Sequence, residues 1–226
     1  MRELPVVTKN LLAINVIMFF ASVVAARYGI DLDKYLGLHL FLAEDFRPIQ
    51  FVTYMFMHGD FRHILFNMFA LWMFGRVLES VWGPKRFLIY YFVAGIGAGI
   101  IQEIVQYFYY VTELSQYAYV ALPGMRIAMA EYLNMWVTVG ASGAVYALLL
   151  AFAMTFPNER LYFFPIPMPI RAKYFVLFYG LLELFLGMAP TVNDNVAHFA
   201  HLGGMLFGLI LILIWRKTGK IYGPYN

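Results

Sequence analysis

A serine in a glycine-rich run and several histidines are the residues of this chain whose types and spacing could support catalysis. Ser142 lies in the run Gly140-Ala141-Ser142-Gly143, and His201 precedes two glycines. A serine hydroxyl is a weak nucleophile until a base within hydrogen-bonding distance takes its proton. Histidine is the commonest such base, and it can later protonate the leaving group. We therefore expect Ser142 to act as a nucleophile and His201 as its base, with a hydrogen bond between them.

Hydrolysis by a serine also requires hydrogen-bond donors for the oxyanion that forms on the substrate. The peptide N–H groups at the start of a helix that begins at Ser142, including that of Ser142 itself, point in a suitable direction. His63 and Asn67 are four residues apart and share a helix face, so their side chains can add to these donors. Tyr146, one turn after Ser142, is expected to pack on the imidazole of His201.

No carboxylate is obviously placed to orient His201. Asp194 is expected on a loop seven residues earlier, and Glu183 is an acid within an apolar run, for which the sequence names no partner. A two-residue pair of serine and histidine is therefore the arrangement that we expect.

The elements that position these residues must be suited to lipid. Hydrophobic residues make up 62% of the 226 residues and charged residues only 13%, whereas a soluble domain carries about 25% charged residues. The chain has no cysteine, which excludes disulfides and thiolate metal ligands, and it has no polybasic patch that would indicate nucleic-acid binding. The composition predicts an all-α, polytopic membrane helical bundle that forms one domain over residues 1–226.

Six runs have about the length and apolar character of membrane-spanning helices. They cover residues 10–26, 61–80, 86–109, 142–156, 172–188 and 196–215, approximately. The fourth run has 15 residues, which gives roughly 22 Å of helix against a hydrocarbon core of about 30 Å. Its first residue, Ser142, should therefore lie below the membrane surface. The irregular backbone expected at 138–141 requires cover by protein or a water-filled cavity at that depth.

The distribution of Lys and Arg in the short connections favours an N-terminus on the inner side. The residues that this orientation places inside are Arg2, Lys9, Lys85, Arg86, Arg160, Arg171, Lys173, Arg216, Lys217 and Lys220. We expect a multi-pass protein of a bacterial plasma (inner) membrane, with both termini cytoplasmic and a site open to the outer side. The second, fourth and sixth runs would then all begin on the outer side. Their polar residues would share one depth.

Small residues predict how two of these helices meet. Gly204 and Gly208 form a GxxxG pair in the sixth run, and such a pair lets another backbone approach closely. Gly143 and Ala147 supply a similar edge in the fourth run. If the two edges meet, Ser142 and His201 lie at the same end of one interface.

Three motifs of this chain resemble those of the rhomboid intramembrane serine proteases. The run 140–143 resembles the GxSG element of the family, and 197–204 (AHFAHLGG) is similar to its AHxxAHxGG element. His58, followed by 63–67 (HILFN), resembles the HxxxxHxxxN segment. The order, the spacing and the six spans agree over nearly the whole chain. The Trp-Arg pair that the family carries in its first outer loop is not evident between residues 27 and 60.

The resemblance implies the roles of particular residues. Ser142 would be the nucleophile and His201, not His198, the base. His63 and Asn67 would be oxyanion donors, and Tyr146 would stack on the base. Gly140, Gly143 and Gly204 would frame the site. The family cleaves transmembrane segments of single-pass or polytopic membrane proteins within the lipid bilayer, and it uses no metal and no other cofactor.

Two other classes of function fit part of the pattern. His58, His63, His198 and His201 could bind zinc, but no carboxylate is in register with them and Ser142 would have no role. A non-catalytic adaptor or a transporter is the second alternative. Transporters often have paired broken helices in two halves, and the sequence has no such symmetry.

Four further expectations concern single features. His198 is interpreted as structural or water-facing, and His58 as a residue that fixes a loop by a hydrogen bond. Arg76 and Glu79 are three residues apart and are expected to pair with each other. The segment 190–195 is interpreted as a mobile cap, and movement of the fifth span or of this segment is expected to open the site.

Overall fold

The computed structural model describes residues 3–162, 168–188 and 197–223. Most of these residues are helical, and the strands are short. The helices are α1 (Val6–Arg27), α2 (Leu32–Leu36), α3 (Gln50–Thr53), α4 (Phe61–Ala70), α5 (Arg76–Trp82), α6 (Pro84–Tyr109), α7 (Met129–Asn134), α8 (Ser142–Thr155), α9 (Ala172–Met188) and α10 (His198–Lys217). The strands are β1 (Leu38–His39), β2 (Tyr119–Leu122), β3 (Met125–Ala128), β4 (Val137–Thr138), β5 (Arg160–Leu161) and β6 (Ile170–Arg171). They form the antiparallel pairs β1–β4, β2–β3 and β5–β6.

Two of the long helices contain a wider turn. The π-helical turn Leu71–Gly75 joins α4 to α5, and the turn Tyr110–Leu114 extends α6. Within the described ranges, four helices are long and apolar enough to cross a membrane: Val6–Arg27, Phe61–Trp82, Pro84–Leu114 and His198–Lys217. Helix α8 is apolar but shorter. The predicted multi-pass helical bundle is confirmed, whereas the count of six crossings stays a prediction.

Helices α6, α8 and α10 pack closely because glycines line their contacts. A side chain at Gly204 would overlap the carbonyl group of Gly143, and Gly208 lies against Ala147. The hydroxyl of Tyr90 on α6 donates a hydrogen bond of 2.8 Å to the Ala147 carbonyl. The two predicted small-residue edges therefore meet.

A carboxylate connects α1 to α5. Glu79 accepts hydrogen bonds from the N–H groups of Val7 at 2.9 Å and Thr8 at 2.7 Å, and from the Thr8 hydroxyl. These are the unpaired N–H groups of the first turn of α1, which carries no side-chain cap of its own. The expected pair of Arg76 and Glu79 is therefore wrong: Arg76 instead stacks over the Trp72 ring at 4.5 Å.

The segment before Ser142 is attached to the connection between α1 and α4. Strand β1 pairs with β4, with Leu38 opposite Thr138. The N–H of Gly140 donates to the carbonyl of Tyr54 at 2.9 Å. The hydroxyl of Tyr54 donates in turn to the carbonyl of Gly95 on α6 at 2.6 Å. The irregular backbone expected before α8 begins after β4 and is covered by these protein contacts.

Candidate active site

Ser142 is the first residue of α8, and the backbone before it has a conformation that favours glycine. Gly140 has a φ of +131°, a backbone conformation that residues other than glycine rarely adopt. A Cβ at this position would also lie 2.7 Å from Nε2 of His63. Gly140 therefore allows both the turn into α8 and the close approach of His63. Peptide N–H groups in the first turn of α8 have no partner within the helix.

Ser142 and His201 are in direct contact. The Oγ atom of Ser142 lies 2.9 Å from Nε2 of His201, as the sequence predicted. His201 is 7% exposed, because it lies one turn into α10, where Gly143 and Gly204 bring α8 and α10 together. The contact depends on backbone proximity, so the spacing of small residues sets the distance between Ser142 and His201.

Glu183 contacts the other side of the His201 ring. Its Oε2 atom lies 2.9 Å from Nδ1 of His201 and 2.6 Å from Nδ1 of His198. The hydroxyl of Tyr146 donates to Oε1 of the same carboxylate. The expectation that no carboxylate lies beside His201 is therefore wrong, whereas the catalytic pair of Ser142 and His201 stays a prediction.

One signal in the sequence could have identified Glu183. The buried residues of α9 are Ala172, Val176 and Glu183, which lie on one stripe of the helix. An acid on the inward face of an apolar helix is costly unless it has partners. The histidines of the next span were the available donors, but no spacing rule joins residues on different helices.

The Tyr146 ring is stacked on the imidazole of His201, as expected. The ring centroids are 4.2 Å apart and the planes differ by 8°. Together with the hydrogen bonds on its two nitrogens, this stacking restrains the position and the rotation of the imidazole. Tyr146 thus contacts both the ring of His201 and the carboxylate of Glu183.

His63 and Asn67 lie on α4, beside the turn into α8. The side chain of Asp60 caps α4 by accepting a 2.9 Å hydrogen bond from the His63 N–H, and the His63 ring lies next to Gly140. The amide of Asn67 is buried, and its Nδ2 atom donates to the carbonyl of His63 at 3.0 Å. His63 is therefore close to the turn that leads into Ser142, and Asn67 is one turn further along the same face.

His58 does not make the loop-fixing hydrogen bond that we expected. It is buried, and its ring packs on the edge of the His63 ring with centroids 5.0 Å apart. Both ring nitrogens are without a hydrogen-bond partner in the described part of the chain. Burial, and then the neighbouring His63, lower the pKa of His58 to about 4, so this residue is neutral at pH 7.

His198 is buried and bonded to Glu183, so it is not water-facing. One ligand atom from each of Glu183, His198 and His201 lies within 4.8 Å of the others, so a carboxylate is now in register with two of the histidines. The contacts of 2.6 and 2.9 Å are nevertheless hydrogen-bond distances. Two ligands of a tetrahedral zinc ion, each roughly 2.0 Å from it, would be about 3.3 Å apart. In this structure the three residues form a hydrogen-bonded network, and removal of metal by a chelator distinguishes such a network from a metal site.

A cavity of about 560 Å³ lies next to His58, between α1 and the start of α4. Its lining includes Phe19, Val23, Asp31, Asp33, His58 and Asp60. Neither Ser142 nor His201 belongs to the lining. The cavity is therefore a separate recess, and His58, which packs on His63, lies between it and the candidate active site. The segment 190–195, expected to act as a cap, lies outside the described residues.

Comparisons with known proteins agree on one family. The family model described as Rhomboid domain matches residues 45–218. Over 224 residues, the chain is 30% identical to "Putative rhomboid protease YdcA" of Bacillus subtilis (strain 168), which covers 98% of this chain and 94% of that protein. It is 24% identical over 168 residues to "Rhomboid protease AarA" of Providencia stuartii, which covers 71% of this chain and 53% of that protein.

A mitochondrial relative extends the similarity beyond bacteria. "Rhomboid protein 1, mitochondrial" of Saccharomyces cerevisiae is 25% identical over 179 residues, which are 78% of this chain and 45% of that protein. The chain thus spans nearly the whole of the Bacillus protein and about half of the Providencia and yeast proteins.

Proposed function

The chain belongs to the rhomboid family of membrane-embedded serine proteases, and from that premise we propose that Ser142 is its nucleophile and His201 its general base. The observation that carries the proposal is the 2.9 Å contact between Ser142 Oγ and His201 Nε2. This contact lies between two helices whose backbones touch through glycines. The two side chains are therefore positioned for proton transfer without rearrangement of the helices.

The reaction would proceed through an acyl-enzyme. Nε2 of His201 takes the proton of Ser142 as Oγ attacks the carbonyl carbon of the scissile peptide bond. The resulting imidazolium then protonates the leaving amine as the carbon–nitrogen bond breaks. In the second half, a water molecule gives a proton to His201 and attacks the ester. Collapse of this second intermediate releases the carboxylic acid and restores the serine hydroxyl.

The oxyanion of each tetrahedral intermediate would be stabilised from two helices. The N–H of Ser142 is one of the free donors at the start of α8. The His63 ring, which lies beside Gly140, and the amide of Asn67 are the donors from α4. Such preorganised donors are often among the largest contributions to rate in acyl transfer.

The substrate class follows from the location of the pair in an apolar bundle. We propose that the chain hydrolyses peptide bonds in or near transmembrane segments of single-pass or polytopic membrane proteins. The distribution of Lys and Arg supports cytoplasmic termini and a site that opens to the outer side of a bacterial plasma membrane. No step of the proposed reaction requires a metal or another cofactor.

Reconstitution in liposomes tests the proposal. The parent, Ser142→Ala, His201→Ala and the control Ser80→Ala are compared on a substrate with one transmembrane segment. We expect the first two variants to lose at least about 10³-fold in kcat while the control, an exposed serine bonded to its own helix, stays at the parent rate. A chelator should leave the parent active. Full activity of Ser142→Ala would contradict the proposal. So would a loss of the parent's activity when a chelator is the only change.

A further inference from the structure

We propose that Glu183 is a positioning residue of the catalytic pair, which fixes the tautomer of His201 and balances the charge that His201 acquires. The inference rests on the proposed function, since it assigns a task to the group behind the base. It adds a carboxylate from α9 to a site whose other members come from α4, α8 and α10.

With Glu183 ionised, all the hydrogen bonds around it run in one direction. An ionised carboxylate can only accept hydrogen bonds, so the nitrogen that faces it on each histidine must carry the proton. His201 therefore has its proton on Nδ1, at 2.9 Å from Oε2. Neutral imidazole carries one proton, so Nε2 has a free lone pair. That lone pair faces the hydroxyl of Ser142 at 2.9 Å, which is the geometry that a general base requires.

Glu183 is held by contacts that do not depend on His201. Nδ1 of His198 donates to Oε2 at 2.6 Å, and the Tyr146 hydroxyl donates to Oε1. The carboxylate therefore stays in place when His201 gains a proton from Ser142. A charge-assisted hydrogen bond to the imidazolium is then formed without reorganisation.

Anchoring of α9 is the competing explanation. Glu183 is 5% exposed, and its three donors come from α8 and α10, so the same contacts could serve only to attach the helix. A structural role would change stability and leave the chemistry of the folded protein unaltered. The experiment therefore needs a reading of chemistry that is independent of folding.

Two variants separate the charge from the whole side chain. Glu183→Gln keeps the shape and can still accept from His201 through its carbonyl oxygen, but it lacks the negative charge. Glu183→Ala removes both functions. We expect kcat to fall about 10-fold in Glu183→Gln, because a neutral hydrogen bond replaces a charged one. We expect a fall of about 10²- to 10⁴-fold in Glu183→Ala, because the tautomer is no longer fixed. KM should stay within about twofold in both.

Glu103→Gln is the matched control. Glu103 is also a buried carboxylate on a membrane-spanning helix, and it accepts a 2.7 Å hydrogen bond from the N–H of Phe41. Its substitution should lower stability without changing kcat per folded molecule. The inference is overturned if Glu183→Gln and Glu183→Ala retain the parent kcat, or if both change it no more than the control does.

Two further measurements read the chemistry directly. Nitrogen-15 NMR of histidine-labelled protein, assigned with His198→Gln and His201→Gln, should show the Nδ1–H form of His201 in the parent and a mixture of tautomers in Glu183→Ala. Formate should restore part of the activity of Glu183→Ala and none to His201→Ala. An unchanged tautomer in Glu183→Ala would overturn the inference. If Ser142→Ala remains active, the proposed function itself fails; if only the Glu183 variants behave as the parent, the inference alone fails.

Discussion

Helix α8 at the centre of the bundle and helix α9 at its edge are attached in different ways. Ten of the 14 residues of α8 are buried, but only three of the 17 residues of α9. Large apolar side chains of α9 are exposed, among them Leu177, Phe178, Leu181 and Phe185. Backbone contact through glycines holds α8 to α10, whereas α9 adds a buried carboxylate as its polar contact with them. Ser142 and the backbone around His201 are thus held by packing, whereas Glu183 is held by hydrogen bonds.

Among substitutions outside Ser142, His201 and Glu183, the largest effect is expected where the packing of α8 on α10 is broken. Gly204→Ala would place a methyl group on the Gly143 carbonyl, so α8 and α10 must move apart. Overpacking costs about 1–3 kcal/mol, and a displacement of roughly 1 Å between reacting groups can cost about 10²-fold in rate. We expect both effects, measured by thermal unfolding in detergent and by kcat in liposomes.

Gly180→Ala is the control on α9. The nearest atom to its added methyl group would be Cε of Met205 at 3.5 Å, which is ordinary contact. Stability should be unchanged or raised by about 0.5–1 kcal/mol, because glycine is unfavourable inside a helix. Equal losses of stability and kcat in Gly204→Ala and Gly180→Ala would mean that the centre of the bundle and its edge at α9 tolerate an added methyl group equally well.

A smaller effect is expected at Tyr146, which contacts both the central base and the carboxylate of α9. Tyr146→Phe keeps the ring that stacks on His201 and removes only the hydroxyl that donates to Glu183. We expect kcat to fall about 10-fold, because one hydrogen bond to a charged group contributes about 1.5 kcal/mol or more. Tyr146→Ala should fall further, since stacking is lost as well. Identical kcat values for the two variants would show that only the hydroxyl matters.

The smallest effect on catalysis is expected at Glu79, although this residue matters for stability. Glu79→Gln weakens the hydrogen bonds to Val7 and Thr8 that attach α1. We expect a loss of about 1–3 kcal/mol in stability and an unchanged kcat for the folded protein. A large fall in kcat at constant folded fraction would extend the catalytic requirement to α1.

The parts of the site that could be predicted from the sequence depend on local spacing. Three patterns each place side chains relative to one helix. They are the run 140–143, the two small-residue edges, and the pair of His63 and Asn67. The predicted common depth of their polar residues then indicates which ends of the helices meet. The contact between Ser142 and His201 follows from these patterns because glycines leave one close packing of α8 on α10.

The parts that could not be predicted depend on contacts between distant helices. Glu183 and His201 are 18 residues apart on different helices, and no periodicity relates them. Arg76 and Glu79 were paired by the rule for one helix, whereas Glu79 binds the N–H groups of α1, 71 and 72 positions away. In both cases the sequence shows a costly buried acid but not the donor that offsets the cost.

Tyr54 makes two hydrogen bonds that together hold the turn before Ser142. Through its carbonyl it restrains Gly140, and through its hydroxyl it is tied to Gly95 on α6. The turn before Ser142 is thus connected to α6 by two hydrogen bonds that share Tyr54. Under the proposed function, a substrate would reach Ser142 at a turn that these two hydrogen bonds hold in place, and movement of α9, of which only three of 17 residues are buried, stays a prediction.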